Sequence, residues 1–280
     1  MSTVIPATGF TPRTPLLPPP LPNTGARWAI FLDVDGTLLD FADDPLAVEV
    51  SSSLLSLLHA LHRALDGALA LVSGRELDQL DRMFGHPRWA AAGLHGLQLR
   101  HADGNCRDFN VPAAQQMQMR HAIHALSDRF DGVQLEDKQS AIALHCRRAP
   151  EQLPALREAA MVLLPQLPGY ELQPGNLVLE FKPAGMDKGH AVHELMAQPP
   201  FHGRRPVYLG DDLTDEHAFA RVNRGHGLSV RIGTREPTLA EFTLPGPAAT
   251  EAWLTRVLDA LTHGVPTHAR LSNGDPQRQP

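Results

Sequence analysis

The chain has 280 residues, enough for one large domain or for a domain carrying an insert. Its hydrophobic fraction of 42% suits a soluble globular protein, and no apolar run approaches the ~18 residues of a membrane span. A net charge of −6 argues against a general nucleic-acid binder but not against a phosphorylated substrate, which local cations can hold.

Residues 1–24, with Pro18-Pro-Pro20-Leu-Pro22, show little periodicity and read as a disordered or polyproline-like arm. No basic region followed by an apolar block opens the chain, so no secretory signal is expected. From residue 25 apolar runs alternate with helical patterns, which predicts a mostly parallel sheet with helices on both faces. Strands are expected at 28–33, 68–72 and 89–93, with helices over 48–65 and 76–84. From about 109 to 183 the rhythm changes to helix 112–130, strands 133–137 and 140–146, helix 150–164, and strands 170–173 and 177–181. This is an αββ unit occurring twice, the pattern of a small inserted α/β domain with an antiparallel sheet. The first pattern then resumes with helix 187–197, strands 206–210, 228–232 and 241–244, and helix 251–261. The expected organisation is a core of 25–108 and 184–265, an insert of 109–183, and a disordered tail over 266–280. Cys106 and Cys146 are isolated and read as reduced packing residues of a cytosolic protein. Fifteen scattered histidines, with His59/His62 and His121/His124 at i,i+3, lack matched partners and read as surface and helix-face residues.

Chemistry concentrates at the ends of the apolar runs. Trp28-Ala-Ile-Phe-Leu breaks into Asp33-Val-Asp35-Gly36-Thr37, placing two carboxylates where open α/β sheets present ligands. Taken alone, Asp-x-Asp-Gly also fits a strand-end turn or a calcium loop, but no further alternating acids or closing Glu follow. Ser73-Gly74-Arg75 ends the second apolar run. Met186-Asp187-Lys188-Gly189 opens a helix, and Gly210-Asp211-Asp212-Leu-Thr-Asp215-Glu216 ends a third run. Acid pair, hydroxyl, lysine and acid cluster, in that order, resemble the four motifs of the haloacid-dehalogenase-like (HAD) phosphohydrolase superfamily. That resemblance implies a Rossmann-like core with an inserted α/β cap of the sugar-phosphatase type, where a lid can exclude water. It implies Asp33 as nucleophile, Asp35 as general acid and base, and Ser73 and Lys188 as ligands of phosphoryl oxygens. Mg²⁺ is implied on the Asp33 carboxylate, the Asp35 carbonyl and Asp211. Asp212 and Asp215 are left to metal-bound waters, to orienting Lys188, or to capping a helix.

Gly93-Leu-His95-Gly96, Glu136-Asp-Lys138, His145-Cys-Arg147, Glu180-Phe-Lys-Pro183 and Gly210–Glu216 further resemble the trehalose-6-phosphate phosphatase family, as do Ala240–Pro245 and Trp253-Leu254. The resemblance implies hydrolysis of trehalose 6-phosphate, with Glu136, Lys138 and Glu180 binding sugar hydroxyls. His95 and Arg75 are expected beside the substrate at the core–cap boundary. Cys146 departs from the family's more usual aromatic after the histidine. Alternatives are another capped phosphatase, for sucrose phosphate, mannosylglycerate phosphate or a hexose phosphate, and a non-catalytic sensor. A trehalose-phosphate synthase is left open as a partner.

Overall fold

A computed structural model describes residues 16–23, 25–40, 49–109, 111–138, 140–175 and 177–263. Five parallel strands carry the site: β1 (Trp28–Leu32), β2 (Leu69–Val72), β3 (Ala90–Gly93), β10 (Arg205–Gly210) and β11 (Leu228–Ile232). Apart from Arg205 they are buried along their whole length, as strands covered on both faces must be, which is why they read as continuous apolar runs. Counting β4 (Gln98–Arg100), β5 (Cys106–Asp108) and β12 (Phe242–Leu244), the sheet runs β12-β11-β10-β1-β2-β3-β4-β5. β4 and β5 are antiparallel and lie beyond the sequence expectations, although Asp103-Gly104 marks their turn.

Strand order decides where chemistry can sit. The chain steps one way from β1 through helix α1 (Ser52–Ala64) to β2, and the other way from β10 through helix α6 (Glu216–Arg224) to β11. Right-handed crossovers therefore set α1 and α6 on opposite faces and leave a crevice between the carboxyl ends of β1 and β10. Helices α2 (Leu77–Phe84), α5 (Lys188–Met196) and α7 (Pro247–His263) complete the two outer layers, α5 against α6 and α7 against α1. α7 opens four residues before its expected start because Pro247 supplies a preset φ in the first turn.

The second sheet belongs to the insert. α3 (Ala113–Ser127), β6 (Gln134–Asp137) and β7 (Ile142–His145) are followed by α4 (Leu153–Leu163), β8 (Tyr170–Gly175) and β9 (Val178–Pro183). The order is β6-β7-β9-β8, antiparallel throughout. Ile142, Leu144, Leu179 and Phe181 turn to Met119, Ile123 and Leu156 of the helices and build a separate apolar core. Alternation sends the polar residues of the same strands to the opposite face. Leu94 and Leu97 of the first unit meet Ala141 of the second in a small junction with Phe109 and Met186.

The predicted N-terminal arm needs a correction. Residues 1–15 and the tail 266–280 lie outside the described residues, but 16–23 are packed on the core. Prolines remove backbone donors yet keep carbonyl acceptors. Thr243 N accordingly donates to Leu17 O at 3.0 Å, and the buried Trp253 Nε1 donates to Pro19 O at 3.1 Å. Leu16 and Leu21 add apolar contact. Trp253→Phe removes one donor and little volume. Denaturant unfolding should show a loss of about 1–3 kcal/mol, the cost of stranding a buried carbonyl.

Candidate active site

Asp33 follows β1 directly, and its N–H donates to Leu209 O of β10 at 3.0 Å, which fixes the acid at the crevice. Gly36, at φ 78°, turns the chain so that Val34–Leu39 closes a tight loop beneath it. From that loop Thr37 Oγ1 donates to Asp33 Oδ2 at 3.3 Å. Asp211 follows β10, just after Gly210, where a Cβ would strike the Asp215 carboxyl.

Lys188, 3% exposed at the start of α5, donates to Asp33 Oδ1 at 2.8 Å and to Asp215 Oδ1 at 2.7 Å. Asp215 also accepts from Tyr208 Oη at 2.6 Å and, through Oδ2, from the N–H groups of Asp211 and Asp212 at 3.1 and 2.9 Å. Those donors fill the four acceptor positions of a carboxylate, so Asp215 orients Lys188 and the turn and has none left for another ligand. Asp212 is exposed and its side chain caps the same turn.

The charges do not balance. Asp33, Asp211 and Asp215 bring ligand oxygens within 4.8 Å of one another, and Lys188 supplies one positive charge. Burial pushes the Asp33 carboxyl well above its usual range, Asp215 adds to the rise, and Lys188 only partly opposes it. Burial, followed by the charge of Asp215, pushes Asp211 to about 7. Asp211 Oδ1 is buried without a hydrogen-bond partner among the described residues. A divalent cation that prefers oxygen ligands fits this deficit, held by Asp33 and Asp211.

Arg75 is bound to the second acid of the pair. Its Nε and Nη2 grip Asp35 Oδ2 and Oδ1 at 2.7 and 2.6 Å, a two-pronged pair whose members lie 40 positions apart. Ser73 is buried at the end of β2, and its Oγ accepts from Arg75 N at 3.1 Å.

The insert reaches the crevice through its polar face. Glu180 on β9 accepts from Lys138 Nζ at 3.3 Å, and its other oxygen lies 3.7 Å from His95 Nε2 of the core. Lys138 also approaches Glu136 at 4.0 Å, and Glu136 pairs with His145 at 2.8 Å. Sequence reasoning did not foresee Thr37, Tyr208 or His145 as partners of the acids; alternation along β7 and β10 was the available signal. Burial lowers the His95 pKa to about 3, so the ring is neutral in the folded protein. Glu180 is held below its ordinary value although burial raises it, because the Lys138 ammonium outweighs that effect.

A family model described as trehalose-phosphatase matches residues 31–248. The trehalose-6-phosphate phosphatase of Escherichia coli (strain K12) is 40% identical over 240 residues, 86% of this chain and 90% of that protein. Among solved structures, the C-terminal domain of C. albicans trehalose-6-phosphate phosphatase superposes with a TM-score of 0.72 at 21% identity, covering 83% of this chain and 92% of that one. A haloacid dehalogenase-like hydrolase of Bacteroides thetaiotaomicron gives 0.62 at 14% identity, covering 83% and 99%. The fold is thus that of the HAD-like hydrolases, an α/β core with a capping insert.

Two outcomes follow from this electrostatics. A saturating divalent cation should raise the thermal midpoint by about 5 °C or more, and Asp211→Asn should remove most of that gain in calorimetry. The second concerns acid. His95 is neutral when folded but takes a proton below pH ~6.5 when unfolded, so the unfolded state binds more protons between about pH 6.5 and 3. Stability should fall as pH drops through that window, and His95→Asn, a residue that tolerates the left-handed backbone, should flatten the fall.

Proposed function

The chain belongs to the trehalose-phosphatase family, and we propose that it hydrolyses trehalose 6-phosphate to trehalose and phosphate. The observation that carries the reading is the crevice between β1 and β10, where Asp33, Asp211 and Lys188 converge. Asp33 attacks phosphorus as the bond to the sugar oxygen breaks, giving an aspartyl-phosphate. Asp35, released from the Arg75 fork, passes a proton to the leaving oxygen and then takes one from the water that cleaves the intermediate. Ser73 and Lys188 hold phosphoryl oxygens, and Asp215 with Tyr208 keeps the ammonium aimed. Mg²⁺ bound by Asp33 and Asp211, with the Asp35 carbonyl, supplies the charge that offsets the phosphoryl oxygens.

Glu136, Lys138 and Glu180 on the cap, with His95 below them, read the sugar. Carboxylates accept from hydroxyls and the ammonium donates to them, so their mutual ion pairs are exchanged for substrate contacts when sugar enters. Cys106 and Cys146 are free thiols, which suits the cytoplasm. Phosphate release should be fastest with trehalose 6-phosphate among sugar phosphates and p-nitrophenyl phosphate, should stop in EDTA, and should drop at least about 10³-fold in Asp33→Asn. Equal rates on every ester would sink the sugar assignment, and an active Asp33→Asn would sink the nucleophile.

A further inference from the structure

Antiparallel register arranges the core-facing surface of the cap sheet in rows. Residues directly opposite one another share a face, so Glu136, Ala143, Glu180 and Gln173 form one row across β6, β7, β9 and β8. Glu180 of that row approaches the core residue His95, which identifies the face as the one turned to the crevice. The neighbouring row pairs Lys182 with Glu171, and both are occupied: Lys182 Nζ meets Glu171 at 3.0 Å and also donates to Met186 O. Glu171 further accepts from Gly185 N at 3.3 Å. On β8, then, the polar group turned to this face and left uncommitted among the described residues is the Gln173 carboxamide, on a half-buried residue.

From this juxtaposition we propose that Gln173 is a specificity-determining residue that binds a hydroxyl of the sugar beside Glu180. The inference rests on the sugar-phosphatase reading and adds a contact to it. A sugar hydroxyl both donates and accepts. Ionised Glu136 and Glu180 can only accept, and Lys138 can only donate. The carboxamide offers both functions from one planar group, so it can answer a hydroxyl whichever way the neighbouring carboxylate has turned it. Buried methyl-sized Ala143, in the same row, leaves the depth that a sugar ring between these side chains requires.

Steady-state kinetics on wild type, Gln173→Ala and Gln173→Glu test this with trehalose 6-phosphate and p-nitrophenyl phosphate. For Gln173→Ala, KM for trehalose 6-phosphate should rise about 3–10-fold with kcat nearly constant, the scale of one neutral hydrogen bond. Turnover of p-nitrophenyl phosphate and the thermal midpoint should not move. Gln173→Glu keeps an acceptor, loses the donor and adds like charge beside Glu180, so it should be at least as impaired as Gln173→Ala. An unchanged KM in Gln173→Ala overturns the assignment, as does a parallel loss on both substrates with a lowered midpoint, which would mark a structural role. A wild type with no preference for trehalose 6-phosphate overturns it together with the reading on which it rests, and that failure appears in the wild-type arm alone.

Discussion

A lysine with almost no access to water can keep its charge only if acids surround it, and this exchange between Lys188, Asp33 and Asp215 organises the crevice. Burial works against the ammonium, yet the two carboxylates raise its pKa above the usual lysine range. Three chain segments far apart in sequence, at residues 33, 188 and 215, are thereby tied at one point. Asp215 closes the tie by taking Tyr208 and two backbone N–H groups as well. Removing one partner of so buried a set leaves the others uncompensated, a penalty of about 3–5 kcal/mol for a typical buried pair.

The same set is deliberately incomplete. Its acids outnumber its buried cation, and burial, followed by the charge of Asp215, raises the carboxyls of Asp33 and Asp211. Asp215 already accepts from four donors, Lys188, Tyr208 and two backbone N–H groups. The cap repeats this logic at lower stakes. On its face toward the core Lys138 lies between Glu136 and Glu180, and His145 bonds Glu136.

Much of this was legible in the amino-acid order. Fully buried parallel strands announce themselves as apolar runs, and acids at their ends announce a site, which is why Asp33, Asp211 and the fold class could be read directly. The αββ repeat gave the cap, since its strands alternate apolar and polar residues. The grip of Arg75 on Asp35 was not legible, because nothing local signals a partner 40 positions away. β5 escaped notice because it is three exposed residues with no apolar face. The proline-rich segment misled in the opposite direction: a paucity of N–H groups looks like disorder, yet carbonyls suffice when Thr243 and Trp253 donate.

Connectivity has a consequence for synthesis. The cap is one continuous stretch, whereas the strand that bears Asp33 pairs through Trp28 with Arg205 and cannot complete its neighbourhood until the chain beyond the cap has been made. A nascent chain emerging from the ribosome therefore carries β1 with one flank open while the whole cap is produced and able to fold. That apolar, unpaired flank is the segment most exposed to misassociation during translation. Acid pair and lysine meet only after the cap has been made, so a chain truncated there would contain the cap sheet without the crevice it faces.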